Sequence, residues 1–497
     1  MITWGISGNS HDAAIAVFVC DELKFAAHSE RYSGVKNDAH LNKALIAEAR
    51  SYGDPDKIIW YERPFKKTFR QLFAGQGWNY AENNIRKYLK SYNISAPIRY
   101  VDHHHSHAAA GYYTSGFNQS AVICIDSIGE FETLTIWEGN GNNLKKIHSH
   151  EYPHSIGLWY SAMTQRLGLK PQEDEYILMG MAAYGDPDRL FDEIKEDFIV
   201  NDPLSSFGLT PHLLTDVVTG IPTITEPGPR FARNLHRGCL DWRPDLTTQQ
   251  DMYDIAAATQ KVYEYMFNNV LKWTRDHTNS KNLVIMGGCA LNCSANAQAY
   301  NYFDRVWIMP NPGDSGSAIG SVLAYNKKHI NWPGAYLGHN IEGNYPVEQA
   351  LQELLTTGIC GVASGRAEFG PRALGNRSLL ADPRRPGIKD KVNEIKQRQL
   401  FRPFAPAVLL EHAHSHFTGH TGPYMQYTSI CTDAGLPAIT HGDGTSRVQT
   451  VSKQQGTGFR TLLERWYEET GCPVLLNTSL NIKGKPIVNT IQDAQEF

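Results

Sequence analysis

The chain has 497 residues, 41% of them hydrophobic and 20% charged, a length that calls for two or three packed domains, each with its own core. It holds no apolar run of the roughly eighteen residues that a membrane-crossing helix needs, which argues against a membrane protein. A net charge of −4 and a pI near 6.6 give no global field for nucleic acid and leave any such partner to a local basic patch.

The start, Met1 to Ile6, lacks the basic segment and cleavage site of a signal peptide, and the eight cysteines include no pair two residues apart. Buried reduced thiols in a cytoplasmic protein are expected. Strand signals run Ile2 to Ile6 and Ala13 to Val19, joined by the polar turn Ser7-Gly8-Asn9-Ser10, whose backbone N–H groups can face an anion. Between Tyr61 and Tyr100 stand Arg63, Lys66, Lys67, Arg70, Arg86, Lys87, Lys90 and Arg99 against only Glu62 and Glu82, interleaved with Phe65, Phe69, Phe73, Trp78, Tyr80, Tyr88 and Tyr92. Cations with aromatics make up the composition of a nucleic-acid surface. The favoured reading is plainer: Phe65, Phe69 and Phe73, four residues apart, form the core face of an amphipathic helix whose basic residues are solvated.

Asp102-His103-His104-His105-Ser106-His107 leads into the helix-prone Ala108-Ala109-Ala110, so His103 and His107, four apart, share a face and can share a metal. A surface polyhistidine run is the competing interpretation. Carboxylates to complete the site are sought at the ends of elements: Asp126 after the strand Ser120 to Ile125, and Asp314 in Pro312-Gly313-Asp314-Ser315-Gly316. Asp126 serves equally well as a turn cap, and Asp314 as the N-cap of a helix over Ser317 to Tyr325. Imidazole with carboxylate suits iron, zinc or manganese.

Apolar residues at helical spacing mark a helix from Tyr253 to Thr274, and the strand Asn282 to Met286 ends in Gly287-Gly288-Cys289-Ala290-Leu291-Asn292. A glycine pair there suits close approach of a nucleotide, or a simple tight turn. The recurring strand, turn and helix rhythm predicts an α/β architecture with ligands at strand ends. Pattern lapses between Trp332 and Pro346, which sets domains of 1–340 and 346–497. The second opens on the amphipathic Val347 to Leu355, then crowds Arg366, Arg372, Arg377, Arg384 and Arg385 ahead of Lys396, Arg398 and Arg402. Such density fits a polyphosphate, a solvated basic face being the alternative.

In combination these motifs resemble the NodU/CmcH family of carbamoyltransferases, nodulation-factor and antibiotic-tailoring enzymes, over nearly the whole chain. The resemblance is carried by Gly8 to Ala14, Ser29-Glu30-Arg31 with Lys36, His103 to His107, Asp126 to Glu130, Met179 to Gly185, Asp254 to Ala257, Gly287 to Asn292 and Pro312 to Gly316. The run Glu368 to Ser378 is the most diagnostic, followed by Phe401 to Pro406, His441 to Gln449 and Leu476 to Asn481. One departure is Ile177, where the family usually has a lysine.

The resemblance implies an actin-like ATPase fold similar to the protein that finishes tRNA threonylcarbamoylation, joined to a smaller α+β YrdC-like domain. In such enzymes the YrdC-like domain condenses carbamoyl phosphate with ATP to give carbamoyl adenylate and pyrophosphate, and the large domain passes the carbamoyl group to an acceptor hydroxyl. By motif position Lys396, Arg402, Arg447, Ser479 and Asn481, with Arg372 nearby, grip carbamoyl phosphate and the nucleotide, alongside Gly287, Gly288 and Asn292. His103, His107, Asp126 and Asp314 hold a divalent metal, iron by resemblance, with Mg accompanying ATP. His11 and Lys36 face the transferred group, His11 as base. The expected acceptor is a sugar or natural-product metabolite. The alternatives are a hydroxymethylated pyrimidine base of DNA, threonylcarbamoyl transfer to tRNA, and an inactive nucleotide-binding scaffold.

Overall fold

The computed structural model describes residues 1–152, 154–200, 216–217, 239–402, 404–455 and 457–497. By its contacts the chain divides into two compact units: residues 5–7 with 56–332, and residues 1–4 and 8–55 with 333–497. The first 55 residues thus belong mainly with the carboxy-terminal third of the chain.

The unit of residues 56–332 is organised on a five-stranded mixed sheet in the order Arg305–Ile308, Asn282–Met286, Gln119–Gly129, Glu132–Asn140 and Asn143–Glu151. Asn282–Met286 runs parallel to both its neighbours, whereas the last three strands form an antiparallel meander. Ser120 to Ile125 is buried at every position, the unbroken apolar run of a strand covered on both faces. Beside the sheet, helix His103–Thr114 packs against helix Ser317–Asn326, and the long helix Gln249–His277 begins in a capping box between Thr248 and Asp251. Gln119–Gly129 and Asn282–Met286 pair in parallel, which sets Asp126, on the first strand, beside Gly288 in the turn that follows the second.

In the other unit the hairpin Ala14–Val19 and Glu22–His28 and the helix Lys43–Ser51 come from the amino-terminal segment. Its second sheet runs Ile359–Ala363, Arg377–Ala381, Val474–Ser479, Ala405–Leu409 and Gln449–Val451, antiparallel except for the last pair. Consecutive residues of Val474–Ser479 serve opposite cores, as strand geometry requires. Val474 and Leu476 pack with Val392, Phe404, Val408 and Phe417, and Leu475 with Leu354, Phe459, Leu462 and Trp466. The expected α/β character holds throughout, and the strands and helices expected at Ile2, Ala13, Ser120, Asn282, Tyr253, Ser317 and Val347 form within a few residues of those positions.

Candidate metal centre and phosphate-binding residues

Helix His103–Thr114 sorts its histidines by direction. His104 turns into the core and bonds Thr135 Oγ1 at 2.9 Å, and His105 stacks on Trp137 with ring centroids 5.2 Å apart. His103 and His107, one turn apart, point the same way, with their Nε2 atoms separated by 3.0 Å. Asp126 Oδ2 lies 3.2 Å from His103 Nε2 and 3.4 Å from His107 Nε2, and Asp314 Oδ1 is 3.4 Å from each. All four donor atoms fall within 4.8 Å of one another. Four ligands around one ion at about 2.0–2.2 Å sit roughly 3–3.5 Å apart, so the donor set and the His–His and His–Asp spacings fit a divalent transition metal.

Surrounding groups orient these ligands. His107 Nδ1 donates to the Pro312 carbonyl at 3.1 Å, which leaves Nε2 as the ligand atom. The same carbonyl accepts the Gly287 N–H at 2.9 Å. Asp126 Oδ1 accepts the N–H groups of Ser127 at 2.8 Å and Gly288 at 3.3 Å, turning Oδ2 toward the histidines. Two glycines are sterically required. Gly287 has φ 89° and would drive a Cβ to 2.1 Å from the Ile125 carbonyl, and a Cβ on Gly129 would meet the His103 ring at 2.1 Å. Burial acts to lower the His103 pKa, but Asp314 and Asp126 together outweigh it and hold the value well above the usual range. Burial likewise acts to raise Asp126, and the two imidazoles more than reverse it. In electrostatic terms the paired carboxylates demand positive charge, whether as protons on the imidazoles or as a metal ion.

Sequence reasoning gave no role to two groups beside this centre. The Tyr61 ring lies 5.2 Å from that of His103, and Glu130, buried and with φ 55°, has its pKa pushed up to about 7 by burial. Glu130 stands in a quoted motif, but it is bonded by Arg63 and Arg70, which are 67 and 60 residues away in sequence. Asn292 caps its helix through Ala295 N and exchanges side-chain bonds with Gln260, so its amide is engaged internally.

In the other unit Lys396, Ser479 and Asn481 meet. Lys396 Nζ donates to the Asn481 carbonyl at 2.8 Å, to Asn481 Oδ1 at 2.9 Å and to Ser479 Oγ at 3.3 Å, and also contacts the Ser479 carbonyl. Burial, with Arg398 and Arg402 nearby, pushes its pKa well below the usual lysine range, although the ring of oxygens favours the ammonium form. Arg447, partly buried, has a buried Nε with no hydrogen-bond partner among the described residues and lies close enough to depress the His441 pKa. Arg402 and Arg372 are partly exposed, and Pro403 of the Phe401 to Pro406 motif lies outside the described residues. His11 Nδ1 is 3.1 Å from Asp12 Oδ2, and Lys36 helps to stabilise the buried Glu30 carboxylate.

The arginine cluster needs correction. Arg377 is fully buried and donates to the carbonyls of Asn489, Ser364, Gly365, Asn376 and His339, so it is a structural tie. Arg384 and Arg385 pair with Asp382, and Arg366 binds the Gly338 and Lys24 carbonyls. The helix Pro64–Phe73 is also reversed from expectation: Lys67 and Arg70 are buried and Phe65, Phe69 and Phe73 exposed. Lys67 can be buried because Glu62 meets it at 2.8 Å, and Arg70 because it donates to the Glu130 carbonyl at 3.0 Å.

The α/β chain thus carries a His2Asp2 quartet in one unit and a lysine ringed by Ser479 and Asn481 oxygens in the other. The chain belongs to the carbamoyltransferase family: the pattern for the carbamoyltransferase N-terminus matches residues 61–323 and that for the C-terminus residues 351–497. It is 32% identical to nodulation protein NolNO of Sinorhizobium fredii strain NGR234 over 97% of this chain and 76% of that one. It is 25% identical to 3'-hydroxymethylcephem-O-carbamoyltransferase of Amycolatopsis lactamdurans over 97% of this chain and 94% of the relative. The crystal structure of T. kodakarensis HypF superposes with a TM-score of 0.36 at 12% identity, covering 66% of this chain and 47% of that one. Among the described residues no helix is long and apolar enough to cross a membrane.

Proposed function

We propose that the protein is a cytoplasmic, ATP-dependent O-carbamoyltransferase that works in two half-reactions. Residues 346–497, read as YrdC-like, turn carbamoyl phosphate, ATP and water into carbamoyl adenylate, pyrophosphate and phosphate. Residues 1–340, read as an actin-like ATPase fold, pass the carbamoyl group to an acceptor hydroxyl and release AMP. The observation that carries this reading is the convergence of His103, His107, Asp126 and Asp314 within 4.8 Å in a chain of the carbamoyltransferase family.

In the first half-reaction Lys396, Arg372, Arg402 and Arg447 supply positive charge to phosphate groups, with Mg accompanying ATP, and Ser479 and Asn481 supply hydrogen bonds. Lys396 shares its three donor hydrogens among Ser479 and Asn481, so it also sets the shape of that loop. The Gly287-Gly288 turn is assigned to close approach of a nucleotide, a role in which it also holds Asp126. A mixed anhydride of this kind is unstable in water, which makes exclusion of solvent part of the chemistry.

In the second half-reaction the acceptor oxygen bonds to the carbamoyl carbon, the hydroxyl proton passes to His11, and AMP leaves. With Nδ1 directed at Asp12, His11 takes the proton on Nε2. Lys36 stabilises the carbonyl oxygen as it becomes negative. Iron, the ion proposed for the His103, His107, Asp126 and Asp314 quartet, would supply positive charge when bound. The acceptor is a hydroxylated small molecule, in keeping with the hydroxymethyl group in the name of the cephem relative. Mass spectrometry of a mixed acceptor panel tests this. A carbamoyl mass increment on a hydroxyl, dependent on both ATP and carbamoyl phosphate, is expected, and an increment without ATP contradicts the adenylate route.

A further inference from the structure

Helix Pro64–Phe73 is held to the protein by its polar face. Lys67 meets Glu62 at 2.8 Å, Arg70 donates to the Glu130 carbonyl at 3.0 Å, and Thr68 accepts from the Asn83 amide at 2.8 Å, all of these side chains being buried. The apolar stripe of the helix, formed by Phe65, Phe69, Leu72 and Phe73, therefore points to solvent. Trp78 and Tyr80 from the following turn lengthen it: Phe65 lies 5.8 Å from Phe69, Phe69 6.3 Å from Trp78, and Trp78 6.1 Å from Tyr80. Each of these side chains is between 48% and 60% accessible. So many large apolar groups side by side in water mark an interaction surface.

The rim of this surface is positive. Between residues 63 and 90 the cations Arg63, Lys66, Arg86, Lys87 and Lys90 are exposed, and Glu82 is the exposed acid. Asp102, partly buried, is a single carboxylate shared by Arg63 at 2.9 Å and Lys66 at 2.5 Å, so it offsets one of those two charges. Arg86, which opens the exposed side of helix Ile85–Ser91, acts with Tyr80 on the Tyr100 phenol and so lies near the aromatic end of the stripe.

An apolar centre with a cationic rim calls for an occupant that is apolar inside and anionic at its edge. A second copy of the chain in a symmetric contact brings the same cations face to face, which opposes that pairing. Bases of a single strand need open, parallel ring faces, whereas Phe65 meets Phe69 at 47° and Phe69 meets Trp78 at 76°, and Leu72 has no ring. Lipid matches both requirements: acyl chains accept any apolar shape, Trp and Tyr settle at headgroup depth, and Lys and Arg reach lipid phosphates. We propose that helix Pro64–Phe73, with Trp78 and Tyr80, is a peripheral docking site for an anionic lipid bilayer. The site lies flat on the bilayer surface and goes beyond the carbamoyl-transfer reading without depending on it.

Co-sedimentation of the full chain with phosphatidylcholine vesicles, with and without phosphatidylglycerol, tests this in the absence of ATP and carbamoyl phosphate. Binding to the vesicles that contain phosphatidylglycerol is expected, at least about tenfold tighter than to phosphatidylcholine alone and weaker as salt is raised. Phe69→Ala/Trp78→Ala is expected to weaken it at least about tenfold, and Arg86→Glu/Lys87→Glu to remove most of the preference for phosphatidylglycerol. All four side chains are exposed, so both variants are expected to unfold at the wild-type temperature, and Tyr80→Ala alone serves if the first does not. The proposal is overturned if wild type does not sediment with anionic vesicles at low salt, if it binds both vesicle types equally, or if the aromatic variants bind as tightly as wild type. Binding of a single-stranded oligonucleotide, or a dimer in sedimentation velocity, that the aromatic variants lose while vesicles are not bound also overturns it.

Discussion

Lys396 and Asn481, 85 residues apart in sequence, are joined twice: the lysine ammonium donates to the asparagine carbonyl at 2.8 Å and to its Oδ1 at 2.9 Å. Replacing this buried cation with a neutral chain leaves those oxygens unpaired, at a cost of about 1–3 kcal/mol in stability. Lys396→Met is therefore expected to lower the urea midpoint and to cut pyrophosphate release at least about tenfold, more than a loss of stability alone would do in the folded fraction. Wild-type release from the folded variant counts against the assignment.

At the His103 to Asp314 quartet, purified protein is expected to carry about one transition metal per chain, and His107→Ala to lose it. In the metal-free protein both imidazoles have raised pKa values, held up against burial by Asp126 and Asp314. Protons therefore compete with the ion already near neutrality, and metal retention should fall as pH is lowered from 8 toward 5. Elemental analysis after gel filtration across that range checks both outcomes.

Glu368 controls the loop that carries Arg372. Its Oε1 accepts the N–H groups of Leu374 at 2.8 Å, Asn376 at 2.9 Å and Arg377 at 3.3 Å, all buried. Glu368→Ala strands these donors and is expected to destabilise the unit by at least about 2 kcal/mol, measured by urea unfolding. Glu368→Gln, which keeps Oε1, should lose less.

His148 and His150 face each other across 4.8 Å near Trp273, and neither Nε2 has a hydrogen-bond partner among the described residues. Burial lowers His148 from 6.5 to about 4 and His150 from 6.5 to about 3. Across that window the unfolded chain binds more protons than the folded one, so stability is complete above 6.5 and falls as the pH drops toward 4. The double variant His148→Gln/His150→Gln is expected to show a smaller difference in urea midpoint between pH 7 and pH 4.5 than wild type.

Features governed by local periodicity were legible in the sequence. The spacing of His103 and His107 in an alanine-rich helix, and carboxylates at element ends, led to a quartet that the structure brings together. Partners distant in sequence were not legible. The face of Pro64–Phe73 is decided by Glu62, which pairs with Lys67, and by the Glu130 carbonyl, which accepts from Arg70; only Glu62 is near the helix in sequence, and the two contacts invert its amphipathic pattern. Arg377 looked like a phosphate ligand because its neighbours are basic, yet it is spent on backbone carbonyls that come from as far away as Asn489. Residues 8–55 gave no hint in composition that they group with 333–497.

The most direct measurement is pyrophosphate release by the full chain with carbamoyl phosphate and ATP and no acceptor. Release that requires carbamoyl phosphate, together with a product of the mass of carbamoyl adenylate, is predicted. ATP turned over to ADP and phosphate, or carbamoyl phosphate consumed without pyrophosphate, would contradict it.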